Sequence, residues 1–89
     1  MKNTVWFALS DKTRRKIISL LKIKDLSAGE ISDNFSLSKP TISHHLAILK
    51  ESGIVDSKKE KNNIIYSLND KIVDELISAF TFMGLKRSV

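Results

Sequence analysis

The chain has 89 residues, room for one small domain, and its 42% hydrophobic and 28% charged side chains are those of a folded globule rather than a disordered tail. Fifteen Lys and Arg stand against ten Asp and Glu, a net charge of +5 that favours a polyanionic partner. No cysteine is present, which excludes disulfides and thiolate metal sites.

Val5, Trp6 and Leu9 fall at helical spacing and predict a short first helix. Ser10-Asp11 breaks it, with the Ser10 hydroxyl placed to cap a second helix. That helix carries the stripe Arg14, Ile17, Ile18, Leu20 and Leu21, with basic residues opposite, and Asp25 closes it. Ser27 and Glu30 have capping-box spacing and open a third helix, with inner residues Ala28, Ile31 and Phe35, ending near Asn34 or Phe35. Ser38 starts a fourth helix, where Pro40 is tolerated because its missing N–H has no intrahelical partner in the first turn. This helix runs to about Ser52, and Gly53 supplies a left-handed stop. Its inner stripe is Ile42, Leu46 and Leu49; Lys39, Ser43, His44 and Ala47 fall on the other side.

After Gly53 the pattern becomes that of strands. Ile54-Val55 and Ile64-Ile65-Tyr66-Ser67-Leu68 are β-prone, and Lys61-Asn62-Asn63 is a turn signal between them. Asn69 or Asp70 then caps a last helix carrying Ile72, Val73, Leu76, Ile77, Phe80, Phe82 and Met83. The expected fold is α+β, mostly helical, in the order helix-helix-helix-helix-β-hairpin-helix. Two short helices joined by a tight turn and followed by a hairpin make a winged helix-turn-helix, filling residues 1–89 as a single domain.

Charge is uneven. Residues 1–24 hold seven basic side chains and one acid, residues 25–38 only the acids Asp25, Glu30 and Asp33, and Lys58, Lys59 and Lys61 cluster on the hairpin. No apolar run approaches the ~20 residues of a membrane helix, and Met1-Lys2-Asn3-Thr4 lacks the apolar core of a signal peptide, so a cytoplasmic location is expected.

Ser10-Asp11-Lys12-Thr13-Arg14-Arg15-Lys16-Ile17 resembles the opening of the ArsR-type winged-helix repressors. Ser38-Lys39-Pro40-Thr41-Ile42-Ser43-His44-His45-Leu46 and the following residues to Val55 are similar to that family's recognition helix and exit, and Ile65-Tyr66-Ser67-Leu68 to its second wing strand. The resemblance spans nearly the whole chain. It implies a homodimeric, autoregulatory repressor of a double-stranded DNA operator, with His44 on the DNA face and His45 beside the core, held by a hydrogen bond. It also implies release from DNA by a regulatory partner protein at the membrane.

Each feature has a plainer reading. Adjacent helical residues point about 100° apart, so His44 and His45 do not chelate one ion. Arg14 lies on the inward stripe, where a charge pinned by a nearby acid or carbonyl is favoured over a phosphate contact. Lys12, Arg15 and Lys16 either touch DNA backbone or are simply solvated, and Lys58, Lys59 and Lys61 either reach phosphates or protect an exposed strand edge. Catalysis has no support: Ser43-His44 gives no nucleophile–base geometry, and no Gly-rich phosphate loop or paired carboxylate motif occurs.

The sequence therefore predicts a non-enzyme that places Lys39, Pro40, Ser43 and His44 in the major groove and Thr41 near the phosphates. Dimer contacts are expected from Val5, Trp6, Leu9, Leu76, Phe80 and Met83, on terminal helices over 2–9 and 70–86. No cofactor, regulatory metal or small-molecule substrate is expected. The third-helix segment offers no thiolate, and the last helix offers acids (Asp70, Asp74, Glu75) but no histidine. The alternative is a winged-helix protein–protein module without direct DNA readout.

Overall fold

The computed structural model describes residues 4–85, so positions 2, 3 and 86 of the expected dimer helices lie outside the described residues. Helix α1 covers Val5–Leu9 and starts at Thr4, whose Oγ1 accepts the N–H of Phe7. Helix α2 (Lys12–Ile23) is capped by Asp11, not by Ser10: Asp11 Oδ2 accepts the N–H groups of Thr13 and Arg14 at 2.8 and 3.1 Å. Ser10 closes α1 instead, its Oγ donating to the Phe7 carbonyl at 2.6 Å. A carboxylate is the better acceptor at the positive end of a helix, and the hydroxyl suits the carbonyl end. Helix α2 ends at Ile23, two residues before Asp25.

Leu26–Ser27 forms strand β1, too short to announce itself in the sequence, and Ser27 at once caps α3 (Ala28–Ser32) through a complete capping box with Glu30. Helix α3 stops before the expected Asn34 or Phe35, although Phe35 still packs against the core. Helix α4 (Lys39–Ser52) has Ser38 as its cap and ends at Gly53, whose φ of 89° is the left-handed conformation that glycine adopts without penalty.

Strands β2 (Val55–Glu60) and β3 (Asn63–Leu68) pair antiparallel around a two-residue turn, so the first strand continues through Lys58 and Lys59 and Asn63 belongs to the second. Strand β3 also pairs with β1, giving a three-stranded sheet in the order β1-β3-β2 where a two-stranded wing was expected. Helix α5 (Asp70–Phe82) is capped by Asn69.

The core joins Ala8 of α1, Ile17 and Leu21 of α2, Ile31 of α3 and Ile42, Leu46, Ile48 and Leu49 of α4 to Leu26, Ile54 and Val55. Ile48 is buried beside the predicted stripe. Among the described residues the one buried charged side chain is Arg14, 5% exposed. Helix α5 contributes no fully buried residue and rests on the domain through half-buried positions such as Ile72. No helix among the described residues is long and apolar enough to cross a membrane.

Candidate nucleic-acid interface

Helix α4 divides along its length as the 3.6-residue period dictates. Ile42, Leu46 and Leu49 are buried, while Lys39, Pro40, Thr41, Ser43, His44 and Ala47 are exposed. The exposed polar groups crowd the N-terminal half of the helix. Ser38 holds that end: its Oγ accepts the Thr41 N–H at 3.2 Å and lies 2.7 Å from Thr41 Oγ1. The Thr41 hydroxyl is thus tied to the cap. Lys39 and Ser43 also border a cleft of about 240 Å³ between α3 and α4, with Ala28, Gly29, Ser32 and Ile42 as its other walls.

The hairpin lysines do not share one face. Side chains alternate along a strand, so Lys58 and Lys59, opposite Ile65 and Ile64 respectively, point to opposite sides. Lys58 and Glu60 fall on the same side and approach to 3.7 Å in an exposed ion pair. Lys61 occupies the tip with φ 56°, a conformation uncommon for any residue but glycine or asparagine. Of the other basic residues, Arg15 donates to the Leu9 carbonyl at 2.7 Å, and Lys16 donates to the Asn34 carbonyl while lying 4.9 Å from the centre of the Phe35 ring.

Beneath this surface lies a polar knot that the sequence only hinted at. Arg14 donates from Nε to the Ala8 carbonyl (2.9 Å), from Nη2 to the Phe7 carbonyl (3.0 Å) and from Nη1 to His45 Nδ1 (3.1 Å), with its guanidinium over the Phe7 ring. The structural reading of Arg14 therefore holds. A guanidinium only donates, so Nδ1 must accept and the ring proton resides on Nε2. Burial holds the His45 pKa below its usual value; the Asp11 carboxylate, 4.0 Å from Nδ1, pulls it upward and Arg14 downward again. Asp11 itself is held below the usual carboxylate range, chiefly by the N–H of Arg14.

Of the expected dimer residues, Trp6, Phe80 and Met83 are exposed, and the Trp6 and Phe80 rings meet at 5.7 Å within the chain. Val5 and Leu9 are half-buried against the core, and Leu76 is half-buried on α5. Phe7, Ile77, Phe82 and Leu85 add exposed apolar surface that the prediction omitted. The His44 and His45 rings lie 5.9 Å apart and tilted. Among the described residues no group of three or more His, Asp or Glu side chains is placed to hold a metal ion.

Residues 11–57 match the sequence profile described as bacterial regulatory protein, arsR family. The chain is similar to the transcriptional repressor SdpR of Bacillus subtilis, 46% identical over 76 residues that cover 85% of this chain and 84% of that protein. It is 36% identical to an arsenical resistance operon repressor of Staphylococcus aureus, over 84% of this chain and 72% of that protein. Among solved structures, an ArsR-like transcriptional regulator from Rhodococcus sp. RHA1 superimposes with a TM-score of 0.79 at 30% identity, covering 91% of this chain and 76% of that one.

Proposed function

Because the chain belongs to the arsR family of bacterial regulatory proteins, whose members similar to it are transcription regulators and not enzymes, we propose that it is an autoregulatory repressor binding a double-stranded DNA operator as a homodimer. One observation carries the DNA reading: Lys39, Pro40, Ser43 and His44 lie exposed at the N-terminal half of α4, opposite its buried stripe. That end is where a recognition helix meets base edges, and the positive end of its dipole favours phosphate. Ser43 and His44 supply base-directed hydrogen-bond groups, Lys39 a cation, and the Thr41 backbone the phosphate-facing turn. Lys61 at the hairpin tip is proposed to reach the backbone, with Lys58 or Lys59, but not both, beside it. Helices α1 and α5 supply the two-fold contact through Trp6, Phe80 and Met83, with Val5, Leu9 and Leu76 behind them.

We assign no metal to the switch, since the α3 segment offers no thiolate and α5 no histidine. Release falls instead to a regulatory partner protein at the membrane, which must cover the DNA face or favour a dimer that misplaces the two recognition helices. Operator affinity should be indifferent to chelator and to added zinc, nickel or cobalt; a tenfold change, about 1.4 kcal/mol, overturns the metal-free assignment.

The DNA reading is tested by selecting duplexes from a random pool and titrating the enriched sequence at two salt concentrations. Steep salt dependence is expected. A Ser43→Ala, His44→Ala double variant should lose about 1–3 kcal/mol of discrimination per readout contact. No retention of any duplex at low salt would favour a protein–protein module.

A further inference from the structure

Arg14 is buried, yet it bonds both to the helix that carries the exposed polar face and to one that carries part of the exposed apolar surface. It grips α1 through the Phe7 and Ala8 carbonyls and the Phe7 ring, and α4 through His45, which is adjacent to His44 and one turn beyond Thr41. We propose that Arg14 and His45 are positioning residues that fix the recognition helix against the first helix only while His45 is neutral, so that operator binding weakens as His45 takes up a proton. The proposal rests on the DNA-binding reading above and deepens it.

The chemistry runs through one lone pair. Arg14 is charged at every accessible pH and has no acceptor, so its bond to His45 requires an unprotonated Nδ1. Protonation there replaces an N–H···N bond by two N–H groups facing each other at the 3.1 Å now separating the nitrogens, each carrying positive charge. Arg14 keeps its two carbonyl bonds to α1, so the contact that yields is the one to α4. The charged groups bearing on His45 are Asp11 at the α2 cap, Arg14 on α2 and His44 on α4 itself. Helix α1 carries no charge, and no group of α3 or β2 is among those that shift His45. Asp11 attracts the added proton, but its Oδ2, which accepts the Thr13 and Arg14 N–H groups, lies 4.0 Å from Nδ1, beyond hydrogen-bond distance.

His45→Asn separates this role from a merely structural one, because the asparagine carbonyl oxygen falls near the Nδ1 position and does not titrate. Operator affinity is measured from pH 8 to pH 5.5 for the natural protein and for His45→Asn, using a duplex enriched at pH 8. Both keep His44, so the two proteins differ only at position 45. The natural protein should lose about fivefold or more relative to His45→Asn on acidification, a coupling of ordinary allosteric size. Parallel profiles overturn the proposal. Absence of any enriched duplex at pH 8 overturns the DNA reading and the proposal with it. Should His45→Asn fail to fold, NMR of the natural protein decides: Nδ1 must be the unprotonated nitrogen at pH 8, and the Phe7 and Ala8 amides must shift with the His45 titration. A ring protonated on Nδ1 at pH 8, or α1 amides that ignore the titration, refutes it.

Discussion

Ser38 shows how much one hydroxyl does at the start of a recognition helix. Its Oγ satisfies the Thr41 N–H and fixes the Thr41 side chain, so the first turn of α4 is pre-formed before any ligand arrives. Ser38→Ala should cost about 0.5–2 kcal/mol in urea unfolding, the usual worth of an N-cap. Asp11 and His45 add a pH dependence of one sign. Both have folded pKa values below their ordinary ones, so below those ordinary values the unfolded chain binds more protons than the folded one. The His45 contribution is complete above its ordinary value of 6.5 and is lost as pH falls through its lowered one; that of Asp11 follows below its ordinary 3.8. The melting temperature should therefore fall from pH 7 to pH 5 in the natural protein and fall less in His45→Asn. The caps Ser38 and Gly53 were legible in the sequence because a cap is local chemistry, decided within four residues. The Arg14–His45 bond was not, since its partners stand 31 positions apart and only packing of α2 on α4 brings them together.

At the scale of elements, the hairpin departs furthest from local preference. The register pairs Glu60 with Asn63, leaving a two-residue turn whose first residue, Lys61, has φ 56° while Asn62 does not have positive φ. A positive φ confined to the first central position is the turn that asks for glycine there. Holding lysine in it costs about 1–2 kcal/mol. Lys61→Gly should therefore raise stability by about 1 kcal/mol in chemical denaturation, while weakening operator binding and flattening its salt dependence if the tip cation meets phosphate. A variant both more stable and equally tight in binding would remove Lys61 from the interface. Helices were legible because their stripes repeat over many residues. Strand β1 was not: two residues carry no period, and Leu26–Ser27 becomes a strand only because β3 lies alongside. The same limit hid the opposed faces of Lys58 and Lys59, which a run of charge in sequence does not reveal but an alternating strand enforces.

For the whole molecule the unsettled surface is that of α5. A helix with Ile72, Val73, Leu76, Ile77, Phe80 and Phe82 that buries none of them fully within its own chain is an apolar element still awaiting cover. Ile77 is 58% exposed, Phe82 93% and Trp6 of α1 56%, so apolar surface from both ends of the sequence is left in water. Exposed apolar area of this kind costs roughly 25 cal/mol per Å² relative to burial, and a second copy would cover it with a two-fold match of identical patches. Such a dimer would set its recognition helices on half-sites roughly 34–36 Å apart. The chain carries its own reporter in its single tryptophan. If Trp6 lies in the two-fold contact, its emission shifts to the blue as concentration rises through the dissociation constant, in step with sedimentation from monomer to dimer. Phe80→Glu should abolish both changes by about 2 kcal/mol or more of lost association. Since Phe80 is not among the buried core residues, the variant's far-ultraviolet spectrum and cooperative melting should persist. A natural protein that sediments as a monomer at micromolar concentration, with emission independent of dilution, would leave α5 uncovered and defeat the dimer.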